Sequence, residues 1–300
     1  MKILVTGASG LLGSRLVREL LSRNYEVIAI YNRNPILVDH ERLVKVRLNI
    51  VDKTSLEDLI LKTKPDVIVH AAAYTDVDGC ERDKAYAWKV NVEATRSIVR
   101  AARVVKSHLI YVSTDYVFDG EKGLYKEDDV PNPVNYYGLT KLVGEELVRA
   151  SDLLYTIVRP SAIYGVGGSK KSFAEYVAEK LSRGEKVYAL VEQYVSPTHN
   201  TLLAMAIAEI VEMRPMGILH VAGERMSRYE FAVKIAEALE LPVELVEKAS
   251  VKDMKYWVAK RPRDSSLDTS KAKSLLKTKF YDISLALELF KQEWLEAKSR

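Results

Sequence analysis

A tyrosine and a lysine, Tyr137 and Lys141, stand one helical turn apart in a segment whose pattern predicts a helix. This spacing places the phenol and the ammonium on the same helix face. A tyrosine hydroxyl normally releases its proton at about pH 10, but a neighbouring cation stabilises the phenolate and allows proton exchange closer to neutrality. The spacing selects Tyr137 over its neighbour Tyr136 and predicts a general acid at this position.

Polar residues also stand at the end of the fifth predicted strand, which covers residues 108–113, and directly after it. They are Ser113, Thr114 and Asp115. In a doubly wound sheet, ligands bind at the carboxyl ends of the strands. A hydroxyl at this strand end can hold a substrate carbonyl beside Tyr137, so we expect the reacting group to bind between the two.

A glycine-rich loop directly follows the first predicted strand and opens the first predicted helix. Its spacing, Gly-x-x-Gly-x-x-Gly, allows a tight turn and lets a pyrophosphate approach the free N–H groups of the helix end. The strand-loop-helix context favours a dinucleotide site over a purely structural turn. The cofactor contacts predicted in this loop are Gly7, Ser9, Gly10, Leu11, Leu12 and Gly13.

The residues after the second and third predicted strands bear on the choice of cofactor. Asn32 and Arg33 stand where a carboxylate would otherwise bind the 2′-hydroxyl of NAD. Arg33 can instead face a 2′-phosphate, so the sequence favours NADPH and leaves NADH open. Asn49 and Ile50 are expected to contact the adenine, and Asp52 is equally explained as a helix cap.

The elements that must position these residues alternate between short β-rich runs and helix-period segments, which indicates a parallel sheet covered by helices. Strands are predicted at 2–6, 26–31, 44–48, 66–70, 108–113 and 155–159. Helices are predicted to begin near Leu11, Ser55, Ala85, Val92 and Tyr137, with capping boxes at 54–57 and 227–230. We expect an α/β fold: a doubly wound parallel sheet of the Rossmann type (1–164 and part of 195–222) with a smaller α/β substrate-binding lobe (165–194 and 223–300).

Composition excludes several classes of protein. The chain has 300 residues, 48% of them hydrophobic, which is enough to bury a sizeable core. No uncharged apolar run reaches the roughly 18 residues of a membrane span, so no membrane association is expected. The single Cys80 provides neither a disulfide nor a zinc cluster and is typical of a reducing cytoplasm.

Charge is unevenly distributed along the chain. The net charge is +4, which argues against nucleic-acid binding. Residues 252–279 carry nine Lys or Arg against three Asp, a balance of +6, so the rest of the chain sums to −2. Such a stretch is either a solvated face or an anion-binding site.

The glycine loop, the hydroxyl at the strand end and the Tyr-x-x-x-Lys pair, in that order, resemble the extended short-chain dehydrogenase/reductase superfamily. Three segments narrow the resemblance to the dTDP-4-dehydrorhamnose reductase family. They are STDYVFDG at 113–120, PVNYYGLTK at 133–141 and RPRDSSLD at 261–268.

This resemblance implies that NADPH delivers hydride to C4 of a dTDP-4-keto-6-deoxy sugar. Tyr137 would supply the proton, Thr114 would polarise the carbonyl, and Lys141 would also hold the nicotinamide ribose. His70 is interpreted as a packed strand residue, and the basic stretch as a diphosphate site. Further cofactor contacts are implied at Ala71, Ala72, Ala73 and Asn91, where Asn91 steadies the site. Substrate contacts are implied at Thr75, Ser113, Asp115, Val117, Thr198 and Arg261.

One position departs from the family pattern. Arg15 stands just past the glycine loop, where some members carry an acidic residue that contributes to a metal-bridged dimer. We therefore expect no such metal, although a homodimer of another kind stays compatible with the sequence.

Three alternatives remain at this point. Sugar-nucleotide 4,6-dehydratases share the glycine loop and the Tyr-Lys pair but typically have Thr-Asp-Glu at the end of the fifth strand. The third residue here is Tyr116, so the base needed for dehydration is missing. Sugar-nucleotide epimerases fit the Arg-Pro segment at 261–268 poorly. A regulatory subunit of methionine adenosyltransferase, which binds the cofactor without catalysis, shares the same patterns and would take the adenosyltransferase subunit as its partner.

Overall fold

The computed structural model describes residues 1–168, 170–254 and 256–299. Lys255, one of the nine cations counted in the basic stretch, lies outside the described residues. Within them, no helix has the length and apolar composition needed to cross a bilayer.

Seven parallel strands form the main sheet, in the order β11-β6-β5-β4-β1-β2-β3. The six strands predicted from the sequence are present, each within one residue of the expected bounds, and the predicted doubly wound α/β fold is confirmed. The strands are β1 (Lys2–Thr6), β2 (Glu26–Tyr31), β3 (Leu43–Arg47), β4 (Val67–His70), β5 (His108–Val112), β6 (Tyr155–Arg159), β7 (Ser161–Tyr164), β8 (Val187–Leu190), β9 (Tyr194–Val195), β10 (Pro197–His199), β11 (Gly217–His220), β12 (Met226–Ser227) and β13 (Val246–Ala249).

Helices cover both faces of the sheet. They are α1 (Gly13–Ser22), α2 (Lys53–Thr63), α3 (Val77–Arg82), α4 (Lys84–Trp88), α5 (Ala94–Val105), α6 (Tyr136–Arg149), α7 (Phe173–Ser182), α8 (Asn200–Met213), α9 (Arg228–Ala238), α10 (Ser270–Leu275) and α11 (Ile283–Lys298). A single π-helical turn, Lys89–Glu93, joins α4 to α5, and a 3₁₀ turn, Asp115–Val117, follows β5.

The chemistry of the helix ends explains where two of these helices begin. The capping box predicted at 54–57 is wrong, because α2 begins at Lys53 and the side chain of Asp52 already accepts a hydrogen bond from the N–H of Ser55. The box predicted at 227–230 is confirmed, with Ser227 and Glu230 each accepting from the backbone N–H of the other.

The sheet separates two apolar cores. Ile3 and Val5 of β1 face α1 and α8, while Leu4 between them faces α2 and α5. Because a parallel sheet is covered on both faces, its strands read as continuous apolar runs instead of alternating ones. The carboxyl edge of this packed sheet therefore holds the residues that follow β1, β4 and β5 in fixed positions.

In the part of the chain that the structure describes, three small sheets accompany the main one: β7 with β10, β8 with β13, and β9 with β12. The segment around β9 is also joined to residues near Asp264 by an isolated bridge at Tyr194. These pairings bring the chain after residue 190 back beside the end of β5.

Candidate active site

The glycine loop is shaped by backbone contacts that leave no room for side chains. Gly7 has a φ of +69°, and a Cβ there would lie 2.9 Å from the backbone of Ala72. A Cβ on Gly13 would lie 2.1 Å from the carbonyl oxygen of Gly7. The two glycines therefore allow α1 to begin directly against the loop, with the loop backbone open to a ligand.

The start of α1 also lacks the groups that would neutralise its N-terminus. Its N-cap is Leu12, no side chain of the described residues accepts from its first N–H groups, and its first turn holds no acidic residue. The first N–H groups of a helix carry partial positive charge and bind anions. This end of α1 fits the pyrophosphate of a dinucleotide.

A single cleft of about 610 Å³ runs along the carboxyl edge of the sheet. Fifteen of the sixteen side chains or backbone segments expected at the cofactor line it; Asn91 is the exception. The cofactor candidates in the cleft are Gly7, Ser9, Gly10, Leu11, Leu12, Gly13, Asn32, Arg33, Asn49, Ile50, Ala71, Ala72, Ala73, Tyr137 and Lys141.

The expected catalytic hydroxyl, phenol and ammonium lie in this same cleft. Thr114, Tyr137 and Lys141 all line it. Helix α6 is fixed at its start by Asn135, whose side chain accepts from the N–H of Gly138 at 2.8 Å. A Cβ on Gly138 would lie 2.1 Å from the carbonyl oxygen of Tyr116, so this glycine lets α6 pack against the turn after β5.

Lys141 is buried in a largely apolar setting. Its Nζ donates to the carbonyl oxygen of Val112 at 2.8 Å and lies 4.1 Å from the centre of the Tyr111 ring. Burial lowers the pKa of Lys141 to about 7, against the opposing effect of Glu145. The proton on this ammonium is therefore easily exchanged near neutral pH.

The phenol and the threonine hydroxyl have complementary positions. Burial raises the pKa of Tyr137, and a hydrogen bond with Thr114 acts in the opposite direction. Thr114 Oγ1 lies 3.1 Å from Asp115 Oδ1 and accepts from the N–H of Tyr116 at 3.2 Å. A phenol held protonated beside a hydroxyl is suited to donate a proton to an oxygen bound between the two.

The substrate contacts expected from the sequence divide into two groups. Thr75, Ser113 and Asp115 line the cleft. The side chain of Val117 is fully buried in a small core with Phe118, away from the cleft.

Thr198 and Arg261 also lie outside the cleft lining. Thr198 is fully buried, and its hydroxyl donates to the carbonyl oxygen of Ser161 at 2.7 Å. Arg261 binds the carboxylate of Asp78 with both nitrogens of its fork, at 3.0 and 2.9 Å, and lies beside a smaller cavity of about 300 Å³.

Asn91 lies behind the residues that line the cleft and does not line it itself. Its side chain accepts from the N–H of Tyr74 at 2.8 Å and donates to the carbonyl oxygen of Tyr74 and to Thr140 Oγ1. Thr140 in turn donates to the carbonyl oxygen of Tyr137. Asn91 thus ties the loop after β4 to the helix that carries the phenol.

A chain of hydrogen bonds continues from Asn91 to the glycine-loop strand. Thr95 Oγ1 donates to the Asn91 carbonyl oxygen, so it accepts from Nε2 of His70 at 3.0 Å. His70 Nδ1 then accepts from Thr6 Oγ1 at 2.8 Å, while Thr6 accepts from the N–H of Ala72. Burial lowers the pKa of His70 to about 3, which keeps the ring neutral and confirms it as a packed strand residue.

Sequence reasoning missed a buried charged cluster behind Ser113. Glu145 accepts from Ser113 Oγ and from two nitrogens of Arg159, at 2.9 and 2.6 Å. Both side chains of this ion pair are almost completely buried. Neither residue belongs to a recognisable sequence motif. The two charges meet only because α6, which carries Glu145, lies beside β6, which carries Arg159.

A second residue that sequence reasoning missed is Arg228. It is the first residue of α9 and lines the cleft together with Thr114 and Tyr137. The only signal in the sequence was its place directly after the capping residue Ser227, which does not reveal where its side chain lies.

Comparisons with known proteins agree with this geometry. The family described as the RmlD substrate binding domain matches residues 1–295. The crystal structure of a hypothetical dTDP-4-dehydrorhamnose reductase from Sulfolobus tokodaii is 48% identical, with a TM-score of 0.84 over 94% of this chain and 97% of that one. The dTDP-4-dehydrorhamnose reductase of Bacillus anthracis, solved in complex with NADP, is 27% identical, with a TM-score of 0.85 over 98% and 99% of the two chains.

A curated relative of a different kind is similar over nearly the same length. Methionine adenosyltransferase 2 subunit beta of Bos taurus is 32% identical over 282 residues, which is 91% of this chain and 82% of that protein. The match along residues 1–295 confirms the resemblance seen in the motifs. The chain belongs to the RmlD substrate binding domain family.

Proposed function

We propose that this protein is an NADPH-dependent reductase that converts the C4 keto group of a dTDP-linked 4-keto-6-deoxy sugar to an alcohol. The observation that carries the proposal is the placement of Thr114, Tyr137 and Lys141 in the same cleft as the glycine loop. A protein that only stored the cofactor would not need a hydroxyl and a phenol beside the site of hydride transfer.

When bound in the cleft by the glycine loop, NADPH would supply a hydride for C4 of the sugar. Thr114 donates a hydrogen bond to the carbonyl oxygen and polarises it. Tyr137 then gives its proton to that oxygen as negative charge develops there. The Lys141 ammonium, buried beside the same helix face, stabilises the phenolate that remains and binds the nicotinamide ribose.

The preference for NADPH is supported by the surface after β2. Asn32 and Arg33 line the cleft there, and no acidic residue lines this part of it within the described residues. An arginine fork suits a phosphate, whereas a carboxylate would repel it. The relative from Bacillus anthracis was solved with NADP, which agrees with this interpretation.

A second candidate function is cofactor binding without catalysis, as a regulatory subunit. It is favoured by the similarity to methionine adenosyltransferase 2 subunit beta over 91% of this chain. A regulatory protein can retain a cofactor cleft and an inherited Tyr-Lys pair. Its partner would then be an adenosyltransferase subunit.

One experiment separates the two candidates. Purified protein is incubated with NADPH and the dTDP-linked 4-keto-6-deoxy sugar, and the nicotinamide absorbance is followed. Reductase activity predicts stoichiometric loss of NADPH and formation of the 4-hydroxy sugar nucleotide. Tight NADPH binding with no turnover, together with binding to a methionine adenosyltransferase subunit, would favour the regulator.

A further inference from the structure

We propose that Arg228 binds the diphosphate of the sugar-nucleotide substrate. The proposal rests on the proposed function, because it assigns a subsite in the same cleft. It differs from the expectation drawn from the sequence, which placed the diphosphate at Arg261 in the basic stretch.

The backbone and ring contacts of Arg228 fix where its side chain emerges. Its N–H donates to the carbonyl oxygen of Gln193 at 3.0 Å, which sets the start of α9. Its guanidinium carbon lies 5.0 Å from the centre of the Phe173 ring. The half-buried side chain lines the cleft together with Thr114, Tyr116 and Tyr137.

Two other arginines near this region are already paired. Arg261 binds both carboxylate oxygens of Asp78. Arg225 donates two hydrogen bonds to Asp264, at 2.9 and 2.7 Å. A guanidinium fork that already binds a carboxylate has few donors left for a phosphate.

Arg228 has no such partner. No carboxylate oxygen lies within 4.0 Å of its guanidinium anywhere in 1–168, 170–254 or 256–299. The nearby carboxylate, Asp115, instead accepts from Ser161 Oγ at 2.8 Å and from Ser265 Oγ at 2.6 Å. Burial lowers the pKa of Arg228, against the opposing effects of Tyr116 and Asp115.

The position of Arg228 in the cleft suits a sugar nucleotide. The diphosphate is attached to C1, across the hexose ring from the reacting C4, so its binding group must lie about one ring away from Tyr137. The side chains of Arg228 and Tyr116 line the cleft together. The ring centre of Tyr116 lies 6.1 Å from that of Tyr137.

Four other cations of the described residues line the cleft: Arg33 and Lys141, which are assigned to the cofactor, and Lys170 and Lys171. Lys170 and Lys171 follow Gly168, which packs near Leu11 of the glycine loop, on the side of the cofactor. Lys171 also pairs with Glu179 at 2.6 Å. Arg228 is therefore the cation best placed for an anion beyond the sugar.

The test measures the affinity of dTDP, which carries the diphosphate and no sugar, by calorimetry. Arg228→Gln is expected to weaken dTDP binding about 10- to 100-fold, because charged hydrogen bonds are lost. Arg228→Lys, which keeps the charge, should lose less. Arg225→Gln is the matched control, three residues earlier and already paired with Asp264, and should bind dTDP as the wild type does. NADPH affinity should be unchanged in every variant.

An unchanged dTDP affinity in Arg228→Gln would overturn the proposal. The same holds for an Arg228→Gln variant that keeps its dTDP affinity but binds a nucleotide-linked uronic acid more weakly than the wild type. That result would assign the guanidinium to a sugar carboxylate instead of the diphosphate. If Arg228→Gln does not fold, the wild type supplies the answer: dTDP, but not thymidine, should protect Arg228 from phenylglyoxal, and equal modification with and without dTDP would count against the proposal.

These results are independent of the proposed reductase activity. A wild type that binds dTDP through Arg228 but turns over no 4-keto sugar supports this inference and contradicts the function. A wild type that reduces the sugar, with dTDP affinity unchanged in Arg228→Gln, does the opposite.

Discussion

Ser265 donates a hydrogen bond to the buried carboxylate of Asp115 at 2.6 Å, across 150 positions of sequence. Asp115 directly follows Thr114, so a residue of the carboxyl-terminal segment positions the end of β5. The same carboxylate oxygen accepts from Ser161. Two hydroxyl donors thereby hold Asp115, and Asp115 in turn accepts from the Thr114 hydroxyl that is proposed to polarise the substrate.

Removing this contact should affect both stability and turnover. Ser265→Ala deprives a buried carboxylate of one donor, which should cost about 1–3 kcal/mol of unfolding free energy and lower kcat by displacing Thr114. Urea unfolding and steady-state kinetics measure the two effects. Ser274→Ala, on an exposed position of α10, is the control, and equal stability of the two variants would contradict the role given to Ser265.

The stability of the folded chain should depend on the titration of Lys141. Burial lowers its pKa to about 7 from the usual 10.5. Between these values the unfolded chain binds a proton that the folded chain does not, so the free energy of unfolding rises with pH, by up to about 1.4 kcal/mol per unit. Below pH 7 this contribution to the slope vanishes.

The substitution Lys141→Met should remove that rise. Urea unfolding of the wild type and the variant at pH 7 and pH 9 compares the two slopes. A variant whose stability rises with pH as steeply as that of the wild type would show that Lys141 keeps an ordinary pKa in the folded state.

Cofactor choice should depend on Arg33. Arg33→Ala should weaken NADPH binding by about tenfold or more, because a charged hydrogen bond to the 2′-phosphate is lost, and should leave NADH binding unchanged. Calorimetric titration with each cofactor measures the difference, and NADH serves as the internal control. Equal losses for both cofactors would place the 2′-phosphate elsewhere.

Much of this site could be predicted from local sequence patterns. The strand-loop-helix at Gly7 to Gly13 and the spacing of Tyr137 and Lys141 each determine geometry within a few residues, so they were interpretable without a structure. The strands were equally clear, because a doubly covered parallel sheet requires continuous apolar runs.

Long-range pairing could not be predicted in this way. Arg261 appeared free for a phosphate because its partner Asp78 lies far away in sequence. Val117 and Thr198 belong to motifs near the site, yet their side chains turn into the interior. Nothing in the pattern showed that Arg228 would reach the cleft with no carboxylate of the described residues paired to it.

The most direct test of the proposed reaction is the turnover of Tyr137→Phe beside that of Tyr136→Phe. Both variants lose one hydroxyl from neighbouring tyrosines of α6, but only Tyr137 lines the cleft. We predict that Tyr137→Phe loses about 10²–10⁴-fold in kcat while NADPH affinity is retained, and that Tyr136→Phe resembles the wild type. A Tyr137→Phe variant that reduces the 4-keto sugar nucleotide at the wild-type rate would contradict the account.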